Sequence, residues 1–115
     1  MSQSTNKLIA EQNDRFRKGD QSLPGNVLIT QALNCHLLES SLTTQELVQA
    51  VQTFDTFTGD NDPYGEHDFG QFTFAGESCY WKIDLYNSAL DGGSENPTDP
   101  SKTHRVLTIM LAQDY

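Results

Sequence analysis

The stretch FGQFTFAGESCYWKIDLYN, residues 69–87, determines most of the predicted fold. In it, every second residue is apolar in two series. The first series is Phe72 and Phe74, and the second is Cys79, Trp81, Ile83 and Leu85. A period of two is typical of a half-buried strand, because successive side chains point to opposite faces of a sheet. We therefore expect two antiparallel strands joined by a turn near Gly76 and Glu77, with one dry face and one wet face.

The segment LTTQELVQAVQTFDTF, residues 42–57, predicts a helix that covers the dry face. Thr43 and Glu46 have the spacing of a capping box, in which each side chain bonds to the backbone amide of the other residue. Apolar residues then recur at helical spacing: Leu47, Val48, Val51, Phe54 and Phe57. Gly59 is expected to end this helix, because glycine adopts the left-handed conformation without a side-chain clash.

The remaining segments complete one small domain over residues 1–115. We expect a first helix that is capped by Ser4 or Thr5 and stopped by Gly19, and a short buried strand over residues 27–30. Residues 104–115 favour a final strand, with a helix as the alternative. The prediction is an α+β fold: an antiparallel sheet of about four strands is covered by the amphipathic helix. Residues 1–19 form a peripheral basic helix and residues 26–115 form the α+β core, which is built on aromatic residues, namely Phe54, Phe57, Phe72, Phe74 and Trp81.

The 115-residue chain has a formal net charge of -9, and the imbalance lies mainly after the first helix. From Asp20 onward three basic residues stand against fourteen acidic ones, a balance of -11. Such a surface repels phosphate backbones, so direct nucleic-acid binding is disfavoured, whereas a basic protein surface would be attracted. Solubility alone is the alternative explanation of this acidity.

The sequence predicts a cytoplasmic protein with reduced thiols. No apolar run reaches the length of about 18 residues that a membrane span needs, and the N-terminal segment lacks the apolar centre of a signal peptide. Cys35 and Cys79 are therefore expected to be free, with Cys79 buried in its strand. The spacing of these cysteines and of the three histidines does not fit a structural zinc site.

The stretch GDNDPYGEHDFG, residues 59–70, holds the residues with the most chemical potential. An EF-hand loop requires a glutamate at its twelfth position, where Gln71 stands, so the calcium interpretation fails. Three interpretations stay open. The stretch could be an ordered turn, a metal site of a small hydrolase or nuclease, or a rigid acidic binding surface. The turn would use Asn61, Asp62, Gly65 and Asp68, and the metal site would use Asp60, Glu66, His67 and Asp68.

Four blocks of sequence together resemble a known family. They are NDRFRKG (residues 13–19), FDTFTGDNDPYGEHDFGQF (54–72), WKIDLYN (81–87) and HRVLTIMLAQDY (104–115). In this order they are similar to a family of small plasmid- and phage-encoded bacterial proteins, a domain of unknown function. The resemblance implies a setting among the accessory genes of mobile elements, which often encode inhibitors of host restriction or CRISPR systems, and it brings no catalytic residue.

We therefore expect a non-enzymatic anti-defence protein, an anti-CRISPR or antirestriction inhibitor, that binds other proteins through an acidic, nucleic-acid-mimicking surface. The expected partner is a host defence complex with a basic nucleic-acid-binding surface. No cofactor is predicted, and the oligomeric state is left open. Partner contacts are predicted at Asp60, Asp62, Tyr64, Glu66, His67 and Asp68, with Tyr64 as an aromatic anchor. The metal-dependent hydrolase or nuclease is the alternative.

Overall fold

A computed structural model describes residues 3–60 and 62–115, apart from the side chains of residues 3 and 4. The elements in chain order are α1 (Gln3–Arg17), β1 (Gly25–Ile29), α2 (Gln31–Glu39), α3 (Thr44–Gln52), β2 (Phe69–Phe74), β3 (Glu77–Asn87) and β4 (Thr103–Leu111). Short 3-10 turns at Pro100–Lys102 and Ala112–Asp114 flank β4. The predicted α+β class is confirmed, and so is the choice of a strand for the last segment.

The four strands form one mixed sheet in the order β1-β4-β3-β2. β3 is antiparallel to both of its neighbours, whereas β1 runs parallel to β4. The prediction of a wholly antiparallel sheet is therefore wrong for one pair, because two helices and a hairpin separate these strands and return the chain in the same direction. The prediction that β1 is buried is also wrong, since β1 lies at an edge of the sheet with Val27 and Leu28 about half exposed.

The β2–β3 hairpin closely follows its sequence pattern. Trp81 and Cys79 are fully buried on one face, while Tyr80 and Lys82 on the other face are partly exposed. The turn lies at Ala75 and Gly76, one residue earlier than predicted, and both residues have left-handed backbone angles with φ of 53° and 78°. Two consecutive left-handed residues match the twist of the flanking strands. Cys35 is exposed, and both cysteines are free as predicted.

Helix α3 has the predicted start but ends early. The capping box between Thr43 and Glu46 is present. The helix stops at Gln52, so the prediction that it continues to Gly59 is wrong. The reason is tertiary: the guanidinium of Arg17 donates hydrogen bonds to the carbonyl oxygens of Val51 and Gln52 and to that of Phe54, just beyond the helix end. These bonds satisfy carbonyls that have no partner within the helix.

Helix α2 is missing from the sequence-based prediction. Its buried residues are Leu33 and Leu37, which are four apart and form one face of the helix. Buried side chains from all three helices join a single cluster with the dry face of the sheet, in which Trp81 is fully buried. All five predicted core aromatics belong to this cluster or pack against it. The helices therefore cover the dry face, and the other face is partly covered by side chains such as Tyr115, which packs on Phe69 and Tyr80.

Helix α1 is packed more deeply than a peripheral helix would be. It begins at Gln3, so the predicted cap at Ser4 or Thr5 is wrong. Gly19 follows the helix with a φ of 100°, as expected for a terminating glycine. Ile9 and Asn13 are fully buried, and Arg17 is 3% exposed. Among the described residues, none of the helices combines the length and the apolar character needed to cross a bilayer.

Candidate functional site

The acidic loop, residues 59–68, lies against α1 and leads into β2. Two asparagines of α1 hold its backbone: Nδ2 of Asn6 donates to the carbonyl of Tyr64 at 3.1 Å, and Nδ2 of Asn13 donates to the carbonyl of Glu66 at 2.9 Å. Within the loop, the amide of Gly65 donates to the carbonyl of Asp62 at 3.1 Å. The loop is therefore ordered by a helix that is more than fifty residues away in sequence.

The inner side of the acidic loop is fixed by Asp62 and His67. Asp62 is 8% exposed, and its Oδ1 accepts the backbone amide of His67 at 3.1 Å. This bond supports the unusual backbone of His67, which has a φ of 54°. Nδ1 of His67 lies 2.8 Å from Oδ2 of Asp14, and its Nε2 lies 3.6 Å from Oδ2 of Asp62. The imidazole ring therefore joins a carboxylate of the helix to a carboxylate of the loop.

Arg17 and Phe57 connect this inner side to the core. The ring of Phe57 stacks on that of His67 at a centroid distance of 3.8 Å. Arg17 donates to Asp14 at 3.1 Å, and its guanidinium lies 5.0 Å from the centroid of the Trp81 ring. A buried arginine in contact with an aromatic ring and a carboxylate is strongly constrained in position. The acidic loop is thus connected through side chains to Trp81, the largest of the fully buried side chains.

The outer side of the acidic loop presents charge and an aromatic ring. Asp60 is exposed, and Tyr64 is 73% exposed. Partial burial, followed by the charges of Asp68 and Asp62, raises the pKa of Glu66. Burial is also the main cause that raises the pKa of Asp68, and nearby carboxylates add to it. These acidic groups are therefore crowded together rather than neutralised by basic neighbours.

The predicted site residues divide into two groups. Asp62 and His67 brace the loop from inside. Asp62 is buried and does not face solvent as its predicted role in partner contact implied, whereas the side chain of His67 is 30% exposed. Asp60, Tyr64, Glu66 and Asp68 lie at least partly in solvent. Asn61 lies outside the described residues.

A groove of about 840 Å³ lies between part of α1 and the acidic loop. Carboxylates of both elements line it, together with the exposed ring of Tyr64. A groove with several carboxylates and an aromatic wall suits a basic side chain, which gains charge and stacking contacts together. The charged and aromatic residues that line it are Lys7, Glu11, Asp14, Asp62, Tyr64 and His67.

The proposed metal donors do not converge. Within residues 3–60 and 62–115, no three side chains of His, Cys, Asp or Glu are placed so that they could hold one metal ion. Asp62 and Asp14 instead lie beside His67, in the contacts described above. The alternative interpretation as a metal-dependent hydrolase or nuclease therefore gains no geometric support from Asp60, Glu66, His67 and Asp68.

A second buried arginine fastens the other long connection, residues 88–99, here called the return loop. Arg105 is fully buried, and it donates to Oδ1 of Asn13 and Oε1 of Gln12, both at 2.9 Å, and to the carbonyl of Pro97 at 3.4 Å. Burial lowers the pKa of Arg105 to about 10. Arg17 and Arg105 are both withdrawn from solvent, so the surface is more acidic than the composition suggests.

Sequence reasoning missed the residues of α1 that organise the site, namely Asn13, Asp14 and Arg17. One signal was available. Ile9, Asn13 and Phe16 recur at spacings of four and three, so a polar residue stands within the apolar stripe of the predicted helix. A polar side chain at such a position must find a buried partner, and Asn13 finds two, in Glu66 and Arg105.

Comparison with known families identifies the chain by its sequence. The family described as "Protein of unknown function (DUF3768)" matches residues 29–114, and the chain belongs to this family. The match includes the acidic loop and three of the four strands. Neither the curated proteins nor the solved structures contain a match to the chain.

Proposed function

We propose that the chain acts, within this family, as a non-enzymatic binding protein that presents the acidic loop to a basic surface of another protein. The observation that carries the proposal is the two-sided construction of the loop. Asp62 and His67 hold it from inside, although His67 is partly exposed. Asp60 and Tyr64 are exposed, and Glu66 and Asp68 are partly exposed. Rigid loops on a stable scaffold are where binding groups concentrate.

The charge of the whole surface supports the same proposal. Three charged residues are buried, namely Arg17, Asp62 and Arg105, and they leave five basic against fifteen acidic residues at least partly exposed. A surface balance of -10 raises the rate of encounter with a basic partner and disfavours phosphate backbones. The acidic loop adds local geometry to this general attraction.

Crowding of carboxylates is a second line of support. The raised pKa values of Glu66 and Asp68 mean that the folded state opposes their ionised forms. An arrangement that lowers stability is commonly retained where function requires it. A basic partner surface would relieve the repulsion between these carboxylates, so binding and charge neutralisation would occur together.

The proposed partner is a host defence complex that itself grips nucleic acid, because such proteins carry the basic surface that the acidic loop complements. The resemblance to plasmid and phage proteins motivates this choice. Tyr64, with 73% of its surface exposed, supplies an aromatic anchor beside the charges. The protein would then block the defence complex by occupying the surface that normally contacts DNA or RNA.

The proposal is tested by capture from a bacterial lysate. The tagged chain is compared with a loop variant that combines Asp60→Asn, Glu66→Gln and Asp68→Asn. Bound proteins are washed at about 50 mM salt and released at about 500 mM, since screening weakens contacts between exposed charges. We expect a nucleic-acid-binding protein to be retained by the wild-type chain, released by salt, and lost from the loop variant.

A matched control separates the loop from net charge. The variant that combines Glu39→Gln, Asp91→Asn and Glu95→Gln removes the same charge from exposed positions outside the acidic loop. It should capture the same partner as the wild-type chain. Capture that is insensitive to salt, or equally weak with both variants, would count against the acidic loop as the binding surface.

A further inference from the structure

The outer edge of β1 carries unpaired backbone groups. The carbonyl of Pro24 accepts from the amide of Arg105, and the amide of Thr30 donates to the carbonyl of Ile109. Alternate residues of a strand direct their N–H and C=O groups to opposite sides. Even-numbered residues therefore face β4, and Gly25, Val27 and Ile29 direct their donors and acceptors outward. No backbone hydrogen bond from the described part of the chain reaches these groups.

This edge lacks the usual protection against pairing. Natural sheets guard exposed edges with lysine, proline, bulges or a covering element. The strand GNVLI, Gly25–Ile29, contains no charged residue and no proline. Val27 is 48% exposed and Leu28 is 50% exposed. On a surface dominated by acidic side chains, β1 is a neutral and apolar strip.

We propose that β1 pairs antiparallel with β1 of a second copy of the chain, about a two-fold axis through Val27. In this register Val27 lies opposite Val27 of the second copy, and Gly25 lies opposite Ile29. All three outward residues occupy hydrogen-bonded positions, so each exchanges both of its backbone bonds. The two four-stranded sheets become one continuous sheet, and the same surface is used on both copies.

Side-chain sizes favour this register. Gly25, Val27 and Ile29 are in register with Arg105, Leu107 and Ile109, and so they share the helix-covered face. Gly25 lies opposite the large side chain of Ile29 in the second copy, and the ring of Phe16 covers Gly25, at 2.5 Å from a Cβ built there. A groove of about 390 Å³ adjoins this position and is lined by Phe16, Leu23 and Val27 among others. The isoleucine would enter this groove over the ring of Phe16.

Charge makes the dimer and the acidic loop respond to salt in opposite ways. Two chains of net charge -9 repel each other, while the strands that would pair carry no charge. Added salt screens the repulsion without weakening backbone hydrogen bonds between neutral strands. The proposed dimer therefore becomes tighter as salt increases, whereas binding through the acidic loop becomes weaker.

Sedimentation equilibrium at about 0.1 M and 0.5 M salt tests the proposal. The wild-type chain should reach twice its 12.9 kDa mass as its concentration rises, and should do so at lower concentration in the higher salt. Val27→Lys should be monomeric throughout, because a lysine at the edge is the common natural protection. Leu38→Lys is the matched control: its leucine is 82% exposed on α2, and the variant should dimerise like wild type.

Disulfide trapping tests the register and does not depend on the lysine variant folding. In a Cys35→Ser background, Val27→Cys should form a disulfide-linked dimer, because the two residues face each other about 5.5 Å apart between Cα atoms. Leu28→Cys should form little disulfide-linked dimer, since residue 28 lies opposite Asn26 of the second copy and not opposite another cysteine. The proposal is overturned if the wild-type chain stays monomeric, even if its β1 edge then binds a strand of another protein. Equal trapping at both positions, or a folded Val27→Lys chain that still dimerises, also overturns it.

Discussion

The acidic loop and the return loop are both fastened to α1, but by different chemistry. The acidic loop is held by the amides of Asn6 and Asn13 and by His67, which lies between the carboxylates of Asp14 and Asp62. The return loop is held by amides and carbonyls around Arg105, which has no carboxylate among its described partners. Carboxylates therefore take part in the described contacts between α1 and the acidic loop, and the described contacts between α1 and the return loop use none.

The carboxylates of the two loops also differ. The side chain of Asp99, in the return loop, accepts from the amide and the hydroxyl of Ser101, and these bonds lower its pKa. In the acidic loop, burial and neighbouring carboxylates raise the pKa of Glu66 and Asp68. The return loop therefore stabilises its negative charge locally, and the acidic loop leaves its charge unsatisfied. The difference supports the proposal that the acidic loop serves a contact outside the domain.

The largest expected effect is a difference in stability between variants of the two buried arginines, Arg17 and Arg105. Arg17→Met leaves His67 as the remaining described partner of Asp14 and removes the donor to the carbonyls at the end of α3. We therefore expect a loss of about 3 kcal/mol in unfolding free energy. Arg105→Met removes a cation whose partners are neutral, and a loss of about 1 to 2 kcal/mol is expected. Urea denaturation of both variants measures the difference. Equal losses would contradict the distinction between an arginine that has a carboxylate partner and an arginine whose partners are neutral.

A second comparison uses one glycine next to each anchoring region. At Gly70, which follows the acidic loop, an added Cβ would lie 2.4 Å from Nε1 of Trp81 and 2.7 Å from the ring of Phe54. We expect Gly70→Ala to cost about 2 kcal/mol by overpacking. At Gly92, in the return loop, the nearest atom would be 3.7 Å away, so Gly92→Ala should be close to neutral. Thermal unfolding distinguishes them, and a tolerated Gly70→Ala would show that the Trp81 contact is looser than described.

The smallest expected effects are changes in stability when one acidic side chain is neutralised, and here the direction of the change is the prediction. A raised carboxyl pKa in the folded state opposes folding above that pKa, and the penalty disappears as the pH falls and the group is protonated. At pH 7, Glu66→Gln and Asp68→Asn should therefore stabilise the fold by roughly 0.5 kcal/mol or less. Asp99→Asn should destabilise it, because a lowered pKa gives stability that is present at neutral pH and lost on acidification through the folded-state pKa.

Urea midpoints at pH 7 and at about pH 3 check these signs, since carboxyl groups ionise between these values. The three variants should approach wild type at the lower pH. A loss of stability at pH 7 for the two acidic-loop variants would mean that Glu66 and Asp68 brace the fold, and the functional interpretation of their crowding would fail.

Sequence predicted the parts of this molecule that depend on neighbours in the chain. The β2–β3 hairpin follows from alternation around Trp81, and the start of α3 follows from the contact between Thr43 and Glu46, three residues apart. Parallel pairing of β1 with β4 joins residues about eighty positions apart, so no local pattern could reveal it. The early end of α3 has the same origin, because Arg17 reaches it from a distant helix.

The candidate site was predictable in composition but not in orientation. The concentration of acidic residues in 59–70 is visible in the sequence, but nothing local decides that Asp62 turns inward while Asp60 remains exposed. That division is made by α1, which supplies Asp14 to His67 and two asparagines to the loop backbone. A loop takes its shape from the scaffold that holds it, and the scaffold here is distant in sequence.

The most direct test of the acidic loop as a binding surface is the affinity of the captured partner, measured at low and high salt for the wild-type chain and the two matched triple variants. The prediction is that the wild-type affinity falls as salt rises. The loop variant should lose at least about tenfold at low salt, or about 1.4 kcal/mol, and the control variant should stay within about threefold of wild type. An affinity that is independent of salt, or equal losses in the two variants, would contradict the account.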